Sequence, residues 1–402
     1  MSIDAVETWL RRTGKPRFAA IVACFALGAA WLMFVLWGLA LPLAGGALTN
    51  ATGAVAGGDA ATFHAAGRFV VDGRAAHAYD PQAQGAAYVA LGGRLRDGRA
   101  YWAYPPPALL ALAPLGLLEP RGGILAWLAA MGLASIAAVA VAARDWRAAL
   151  PAIFVPTAVH GVAVGQNGGL TALILALAFV WRDRRPMLAG ASLGLLALKP
   201  QLGLAAGMWW LARRRFAALA VAVLVAAVLA LTATVVLGWG IWPAFLDAAR
   251  LSTEALAAFE LRTDRLTTAY GLALTLGAPR SIAGMAQAVT AGMAIALLLQ
   301  ASRPGADEVA ASLALAAATV LVTPYAFEYD FVVFVLPLGI LFARWLGGAP
   351  ADVWDVAVFA YAMLVGPAVG VTYALLGIQP GVFVVLGGLL LACALARARS
   401  AP

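Results

Sequence analysis

Four charged side chains stand out because each lies beside or between long apolar runs: Asp59, Lys199, Glu328 and Asp330. Asp59 precedes a helical stretch, so its carboxylate either caps that helix or acts as a general base on a hydroxyl group. The ammonium group of Lys199 either snorkels toward water or pairs with an anion such as a lipid-linked phosphate. These four residues are therefore the first candidates for chemistry.

Glu328 and Asp330 are two positions apart and follow Pro324. In a strand-like loop they would share a face, whereas in a helix they would point about 200° apart. A shared face could hold a divalent cation or give one raised and one ordinary pKa, and a helix cap at Asp330 is the alternative. Ala60 and Ala61 follow Asp59, so there is no Asp-x-Asp motif, and we predict no metal site.

We expect a second group of polar residues to lie near the first group and to bind substrate. These residues are His64, Tyr104, Gln166, Asn167, Arg262 and Arg265. Gln166 and Asn167 precede two glycines, which indicates a turn or a clamp for hydroxyl groups. Tyr104 belongs to a set of aromatic residues that form either an interfacial belt or a stacking surface. Arg262 and Arg265 lie in an amphipathic segment. They either belong to its solvated face or contact a phosphate group.

The remainder of the chain is strongly apolar. Of 402 residues, 63% are hydrophobic and 11% are charged, whereas soluble domains are roughly 45–50% apolar and about 25% charged. At about 20 residues per crossing, the apolar residues suffice for about 12 membrane spans, which must be helical because lipid offers no partner to backbone groups. We predict an all-α polytopic membrane protein formed by a single domain, residues 1–402.

The positions of the basic residues predict the orientation. The net charge of +8 resembles that of a nucleic-acid-binding protein, but 16 of the 27 basic residues fall at alternate ends of the predicted spans, one of which is predicted at 148–164. By the positive-inside rule these ends, and both termini, are cytoplasmic, and the protein lies in the cell (inner or plasma) membrane. The charge therefore indicates topology, and no nucleic-acid partner is expected.

Two segments are predicted outside the membrane, where the candidate residues then gather. Residues 44–121 form a long extracytoplasmic loop with interfacial helices near 59–71 and 81–91, the second capped by Asp80 with Pro81 at its first position. Its last part, 105–118, contains four prolines and is predicted to be re-entrant or interfacial because it is too short to span. Residues 238–280 form the second external segment.

Six short motifs in this order resemble glycosyltransferase family 87 over about residues 50–345. They are Gly58-Asp59, Tyr79-Asp80-Pro81, Tyr104-Pro105-Pro106, Gly165-Gln166-Asn167, Lys199-Pro200 and Thr323-Pro324 with Tyr329-Asp330. The resemblance implies a GT-C-like helix bundle and transfer of a monosaccharide, mannose in some members, from a polyprenyl-phosphate donor to a glycan or glycolipid acceptor. Membrane lipids are further partners, and no cofactor is implied.

By analogy with GT-C enzymes, Asp59 is the catalytic carboxylate. Some family members place a histidine near the position of Glu328, which this chain lacks, so Asp330 stays as a competing base. Two other functions remain: a lipid-linked glycan polymerase or ligase, and a transporter or flippase. A transporter is expected to contain related halves with interrupted helices, and the sequence contains no evident internal repeat.

Overall fold

The computed structural model describes residues 8–9, 11–44, 48–49, 54–95, 97–258 and 261–400. All regular elements of these residues are helical. The α-helices are α1 (Lys15–Ala44), α2 (Ala60–Val71), α3 (Pro81–Ala90), α4 (Pro106–Gly116), α5 (Pro120–Ala143), α6 (Pro156–Ala163), α7 (Gly168–Trp181), α8 (Pro186–Gly194), α9 (Leu204–Ala212), α10 (Phe216–Leu237), α11 (Ile241–Ala257), α12 (Ala269–Thr275), α13 (Arg280–Ala301), α14 (Glu308–Val322), α15 (Val335–Leu346), α16 (Val353–Leu376) and α17 (Gly381–Ala398).

Short 3-10 helices connect several of these elements. They are Ala75–Tyr79, Trp146–Phe154, Leu195–Leu198, Pro200–Gly203, Thr263–Arg265 and Glu328–Phe334. Five α-helices begin with proline, whose fixed φ and missing N–H suit the first helical position. The prolines thus divide the apolar sequence into more and shorter helices than its hydrophobicity alone suggests.

Seven helical segments of the described chain are long and apolar enough to cross a membrane: Lys15–Leu36, Pro120–Ala143, Phe216–Leu237, Arg280–Ala301, Glu328–Leu346, Val353–Leu376 and Gly381–Ala398. The all-α membrane architecture is therefore confirmed. The predicted span at 148–164 is instead a 3-10 helix followed by the eight-residue α6, because Pro151 and Pro156 interrupt it.

The α8 and α9 helices form the two arms of a hairpin. Its two arms are joined by short 3-10 helices that meet at Lys199. The first arm packs closely on α10, since a Cβ added at Gly190 would lie 2.2 Å from the carbonyl oxygen of Ala218. The fold therefore places a charged residue at the tip of an apolar hairpin.

The segment between α1 and α5 contains helices at both predicted positions, α2 and α3. Asp80 caps α3 by accepting a hydrogen bond from the Gln82 N–H at 2.9 Å, as predicted. The proline-rich part forms an α-helix, α4, which is more regular than we expected. It crosses α2 at Gly67 and Gly116, where the two backbones are in contact and leave no space for a Cβ atom.

The polar residues of the helix bundle gather at two ends. One end, called the basic end, contains ion pairs between Arg144, Arg182, Arg215, Arg344 and Arg399 and the acidic residues Asp183, Asp307, Glu308, Asp352 and Asp355. The other end, called the site end, contains Asp59, Gln166, Lys199, Arg265, Glu328 and Asp330. Because successive long helices run between the two ends, residues far apart in sequence meet at each.

Candidate active site

A cavity of about 510 Å³ lies at the site end and is bordered by residues of α2 and α11. Aromatic rings form much of its wall, and its charged or amide lining residues include Asp59, Gln166, Arg262 and Arg265. Phe327 and Tyr329 stack with their ring centroids 5.2 Å apart along one side. A cavity of this kind, with aromatic faces and a few polar groups, suits a sugar ring better than a purely apolar molecule.

Asp59 projects its carboxylate toward this cavity rather than capping α2. Gly57 and Gly58 have positive φ values of 81° and 49°, so the chain turns sharply just before Asp59. The Asp59 N–H donates to the carbonyl oxygen of Val164 at 2.9 Å, and its side chain makes no capping hydrogen bond to α2. The helix-cap interpretation of this carboxylate is therefore wrong.

Gln166 and Tyr104 hold the Asp59 carboxylate in place. The Gln166 side-chain N–H donates to the Asp59 Oδ2 at 2.5 Å, and the Gln166 Oε1 accepts from the Tyr104 hydroxyl at 2.9 Å. Gly165, with a φ of 71°, lies so close to Gly57 that a Cβ would be 1.9 Å from its carbonyl oxygen. The turn predicted at residues 165–167 thus exists, and it positions an amide against the carboxylate.

The surroundings of Asp59 favour its protonated form more than water does. Burial raises the pKa of Asp59 above its usual range, while the Gln166 hydrogen bond and the positive charges of Arg265 and Lys199 lower it in part. A carboxyl group with a raised pKa is a stronger base once it is ionised. This is the property expected of a group that accepts a proton during a reaction.

Lys199 and Asp330 form a buried ion pair. The Lys199 Nζ lies 2.6 Å from the Asp330 Oδ1 and donates to the Asn167 Oδ1 at 3.2 Å. Their side chains are only 6% and 1% exposed, so water contributes little to either charge. Asp330 also accepts from the Phe327 N–H at 3.1 Å through its other oxygen. Neither member of the pair lines the 510 Å³ cavity.

Glu328 pairs with Arg265 and not with a cation shared with Asp330. The segment is a 3-10 helix, so the shared face expected of a strand-like loop does not form. Within the described chain, no three His, Cys, Asp or Glu side chains come together as metal ligands would. The His160 Nε2 lies 3.8 Å from the Glu328 Oε1, a contact that the sequence alone does not indicate.

The other predicted residues lie in different surroundings. Arg262 pairs with Asp264 at 3.1 Å and also donates to the Tyr373 hydroxyl at 2.6 Å. The His64 Nε2 is 3.0 Å from the carbonyl oxygen of Leu118, where it ties α2 to the end of α4. His64 lies outside the cavity lining. Trp102 and Tyr329, which belong to the predicted set of aromatic residues, line the cavity, and so does Phe63, which the sequence did not indicate.

Comparison with known proteins identifies the family. A family model described as glycosyltransferase family 87 matches residues 102–324, which is more than half of the 402-residue chain. The match includes Tyr104, Gln166, Lys199 and Arg265 but begins after Asp59. Comparisons with curated proteins and with solved structures find no match. The protein is therefore a membrane glycosyltransferase that belongs to glycosyltransferase family 87.

Proposed function

We propose that the protein transfers a monosaccharide, mannose in the first instance, from a polyprenyl-phosphate carrier to a glycan or glycolipid acceptor. The observation that carries this proposal is the Asp59 carboxylate, which Gln166 holds at an aromatic-lined cavity with no capping role. Family membership supplies the glycosyl transfer itself. Arg262 and Arg265, two of the three arginines at the cavity wall, suit a donor whose leaving group is a phosphate.

The reaction is a single displacement at the anomeric carbon. An acceptor hydroxyl attacks this carbon, its proton passes to Asp59, and the bond to the phosphate oxygen breaks with its electron pair on that oxygen. Attack opposite the leaving group inverts the anomeric centre. Arg265 lines the cavity together with Asp59, whereas Lys199 does not, so Arg265 is better placed than Lys199 to stabilise the departing phosphate.

Asp59 is a better candidate for the base than Asp330. The two oxygens of Asp330 are taken up by Lys199 and by the Phe327 N–H, and the residue is 1% exposed. We assign the Lys199–Asp330 pair a positioning role, because it joins the hairpin tip to the segment that carries Glu328 and Tyr329. Asn167, which also contacts Lys199, connects this pair to the turn beneath Asp59.

Substitution of Asp59 by asparagine tests the base. Asn keeps the shape of the side chain but accepts no proton, so transfer of radiolabelled mannose from polyprenyl phosphate should fall by about 10²–10⁴-fold. Asp80→Asn is the matched control, since Asp80 is exposed and asparagine caps a helix equally well. Transfer by Asp59→Asn at the wild-type rate, in membranes with equal amounts of protein, would remove Asp59 as the base.

We also propose a GT-C-like bundle of about 12 helices that cross or enter the membrane, with the site end extracytoplasmic and both termini cytoplasmic. Two exposed residues test this orientation: Asp80 toward the site end and Trp146, 75% exposed, at the basic end. An impermeant maleimide added outside intact cells should label Asp80→Cys and leave Trp146→Cys unlabelled. The reverse pattern would place the site in the cytoplasm.

A further inference from the structure

A second, smaller cavity of about 290 Å³ lies beside the Asp59 cavity. Arg262 and Arg265 line both cavities, so the two spaces meet at these guanidinium groups. The remaining walls come from α1, α6 and α16, and Glu328 lies among them. The volume is roughly ten times the ≈30 Å³ that a water molecule occupies in the liquid, which is enough for a small polar group.

Four residues that line the smaller cavity carry a buried polar atom with no hydrogen-bond partner among the described residues. These atoms are Trp31 Nε1, Thr157 Oγ1, His160 Nε2 and Glu328 Oε2. Thr157 and Glu328 are only 1% and 7% exposed. A buried polar group without a partner is costly, so such a concentration indicates a site for a polar ligand.

The kinds of polar group indicate an anion. The indole N–H of Trp31 and the guanidinium groups of Arg262 and Arg265 are donors only, and the Thr157 hydroxyl can donate. Arg265 is occupied by Glu328, and Arg262 is occupied by Asp264. Glu328 thus already supplies one negative charge at the position where a phosphate would contact Arg265.

The cavity also has a side suited to a lipid. Its α16 wall includes Gly366, Pro367 and Gly370 beside Tyr373, and a Cβ added at Gly370 would meet no atom within 4 Å. Around this wall the surface is apolar, with exposed side chains at Met33, Phe34, Val371 and Leu375 on α1 and α16. Both helices are long enough to cross a membrane. An acyl or isoprenoid chain could therefore leave the cavity between them.

We propose that the smaller cavity binds the phosphate of the lipid-linked donor, which displaces Glu328 from Arg265, and that the polyprenyl chain passes out beside Gly370. This inference rests on the proposed function and adds the location of the donor. With the phosphate at Arg265, the sugar extends into the Asp59 cavity. The anomeric carbon then lies between Asp59 on the acceptor side and the leaving oxygen on the arginine side.

Glu328 has a specific role in this arrangement. It neutralises Arg265 when no donor is bound and competes with the incoming phosphate for the same guanidinium group. Removing its charge should therefore strengthen phosphate binding, whereas the loss of a merely structural ion pair should not. This difference separates a competing carboxylate from a structural one.

The test measures binding of radiolabelled undecaprenyl phosphate, without a sugar, to purified protein in nanodiscs. Gly370→Phe places a bulky side chain in the proposed path of the polyprenyl chain and should weaken binding at least about tenfold, as should Arg265→Gln. Glu328→Gln should strengthen it by about tenfold. Gly387→Phe on α17 is the matched control, since Gly387 also has open space around its Cβ position. It should bind as the wild type does, and neutral undecaprenol and phosphatidic acid should compete weakly.

Several results would overturn the inference. One is equal binding of undecaprenyl phosphate by the wild type, Gly370→Phe and Arg265→Gln, and another is no binding by the wild type. Weaker binding by Glu328→Gln would remove the competing role, and full competition by phosphatidic acid would identify a phospholipid site. The Asp59→Asn transfer assay is separate, so the donor site can fail while the proposed sugar transfer stands.

Discussion

The pKa of a partly buried aspartate is shifted in opposite directions at the two ends of the helix bundle. At the basic end, burial raises the pKa of Asp307, but the guanidinium groups of Arg344 and Arg399 lower it below its usual value. At the site end, burial raises the pKa of Asp59, and its neighbours offset this only in part. The Asp307 carboxylate is held in ion pairs with two arginines, whereas the Asp59 carboxylate faces a cavity that a substrate can enter.

Two individual ion pairs, one at each end, differ strongly in exposure. Arg144 and Glu308 at the basic end are 47% and 36% exposed, while Lys199 and Asp330 at the site end are 6% and 1% exposed. Exposed pairs contribute little to stability because water screens them, and breaking a buried pair leaves an uncompensated charge. The Arg144–Glu308 pair should therefore contribute little to stability, whereas the Lys199–Asp330 pair should contribute strongly.

The largest effect should come from breaking the buried pair. Lys199→Met leaves Asp330 without its cation and should lower the free energy of unfolding by about 3–5 kcal/mol. The double variant Lys199→Met/Asp330→Leu removes both charges and should recover much of this loss. Thermal unfolding of the purified protein in one detergent measures both. A double variant as unstable as the sum of the two single variants would show that the pair is not coupled.

A smaller effect is expected at the basic end from Arg399→Gln, which removes ion pairs to Asp307, Asp352 and Asp355. Each hydrogen bond to a charged group contributes about 1.5–3 kcal/mol, and neighbouring arginines compensate in part for the one removed. The free energy of unfolding should therefore fall by about 1.5–3 kcal/mol. Because the pKa of Asp307 is lowered in the folded state, its contribution is present above pH 3.8 and is lost as pH falls through the folded-state value.

The difference in the free energy of unfolding between the wild type and Arg399→Gln should therefore become smaller in acid. Arg397→Gln is the control, since Arg397 is exposed and makes no ion pair within the described residues. A difference that is constant from neutral pH to pH 3 would contradict this account of the basic end.

Gln166→Leu should move the pH dependence of sugar transfer. The base acts only when it is ionised, so activity falls as pH drops through the pKa of Asp59. The Gln166 hydrogen bond lowers that pKa, and its loss should shift the acid limb of activity to higher pH. Tyr104→Phe, which removes only the partner of Gln166, should shift it less. Gln82→Leu, at an exposed position in α3, should leave the limb in place.

The smallest effect should follow Arg144→Gln. The two hydrogen bonds between Arg144 and Glu308 are well formed at 2.9 Å, but the pair is exposed and Arg182 also contacts Glu308. The free energy of unfolding should change by about 0.2–1 kcal/mol. A loss as large as that of Lys199→Met would mean that exposure does not distinguish the two ends.

Much of the local structure could be predicted because it depends on neighbours in sequence. The helices at Ala60–Val71 and Pro81–Ala90 and the Asp80 cap follow from apolar periodicity and from helix-start residues. The family was also recognisable, since its motifs are short and keep their order. The division of residues 148–164 at Pro151 and Pro156 was within reach of the same rules but was missed.

The partners of the charged residues could not be predicted in this way. Asp59 and Gln166 are 107 positions apart, and Lys199 and Asp330 are 131 positions apart. Spacing within one segment suggested that Glu328 and Asp330 act together, yet each pairs with a cation from a different segment. Contacts of this kind depend on how helices pack, which the sequence of one segment does not encode.

The sequence by itself determined that this chain forms apolar helices for a membrane, where several of those helices begin, and which few polar residues are candidates for chemistry. These properties follow from hydrophobicity, proline and glycine, which act over a few residues. Only the tertiary structure decided that the Asp59 side chain does not cap α2, that Lys199 forms an ion pair with Asp330, and that Arg265 lines two cavities. Burial and pairing arise from residues brought together across the chain, and they determine which charges remain available to a substrate.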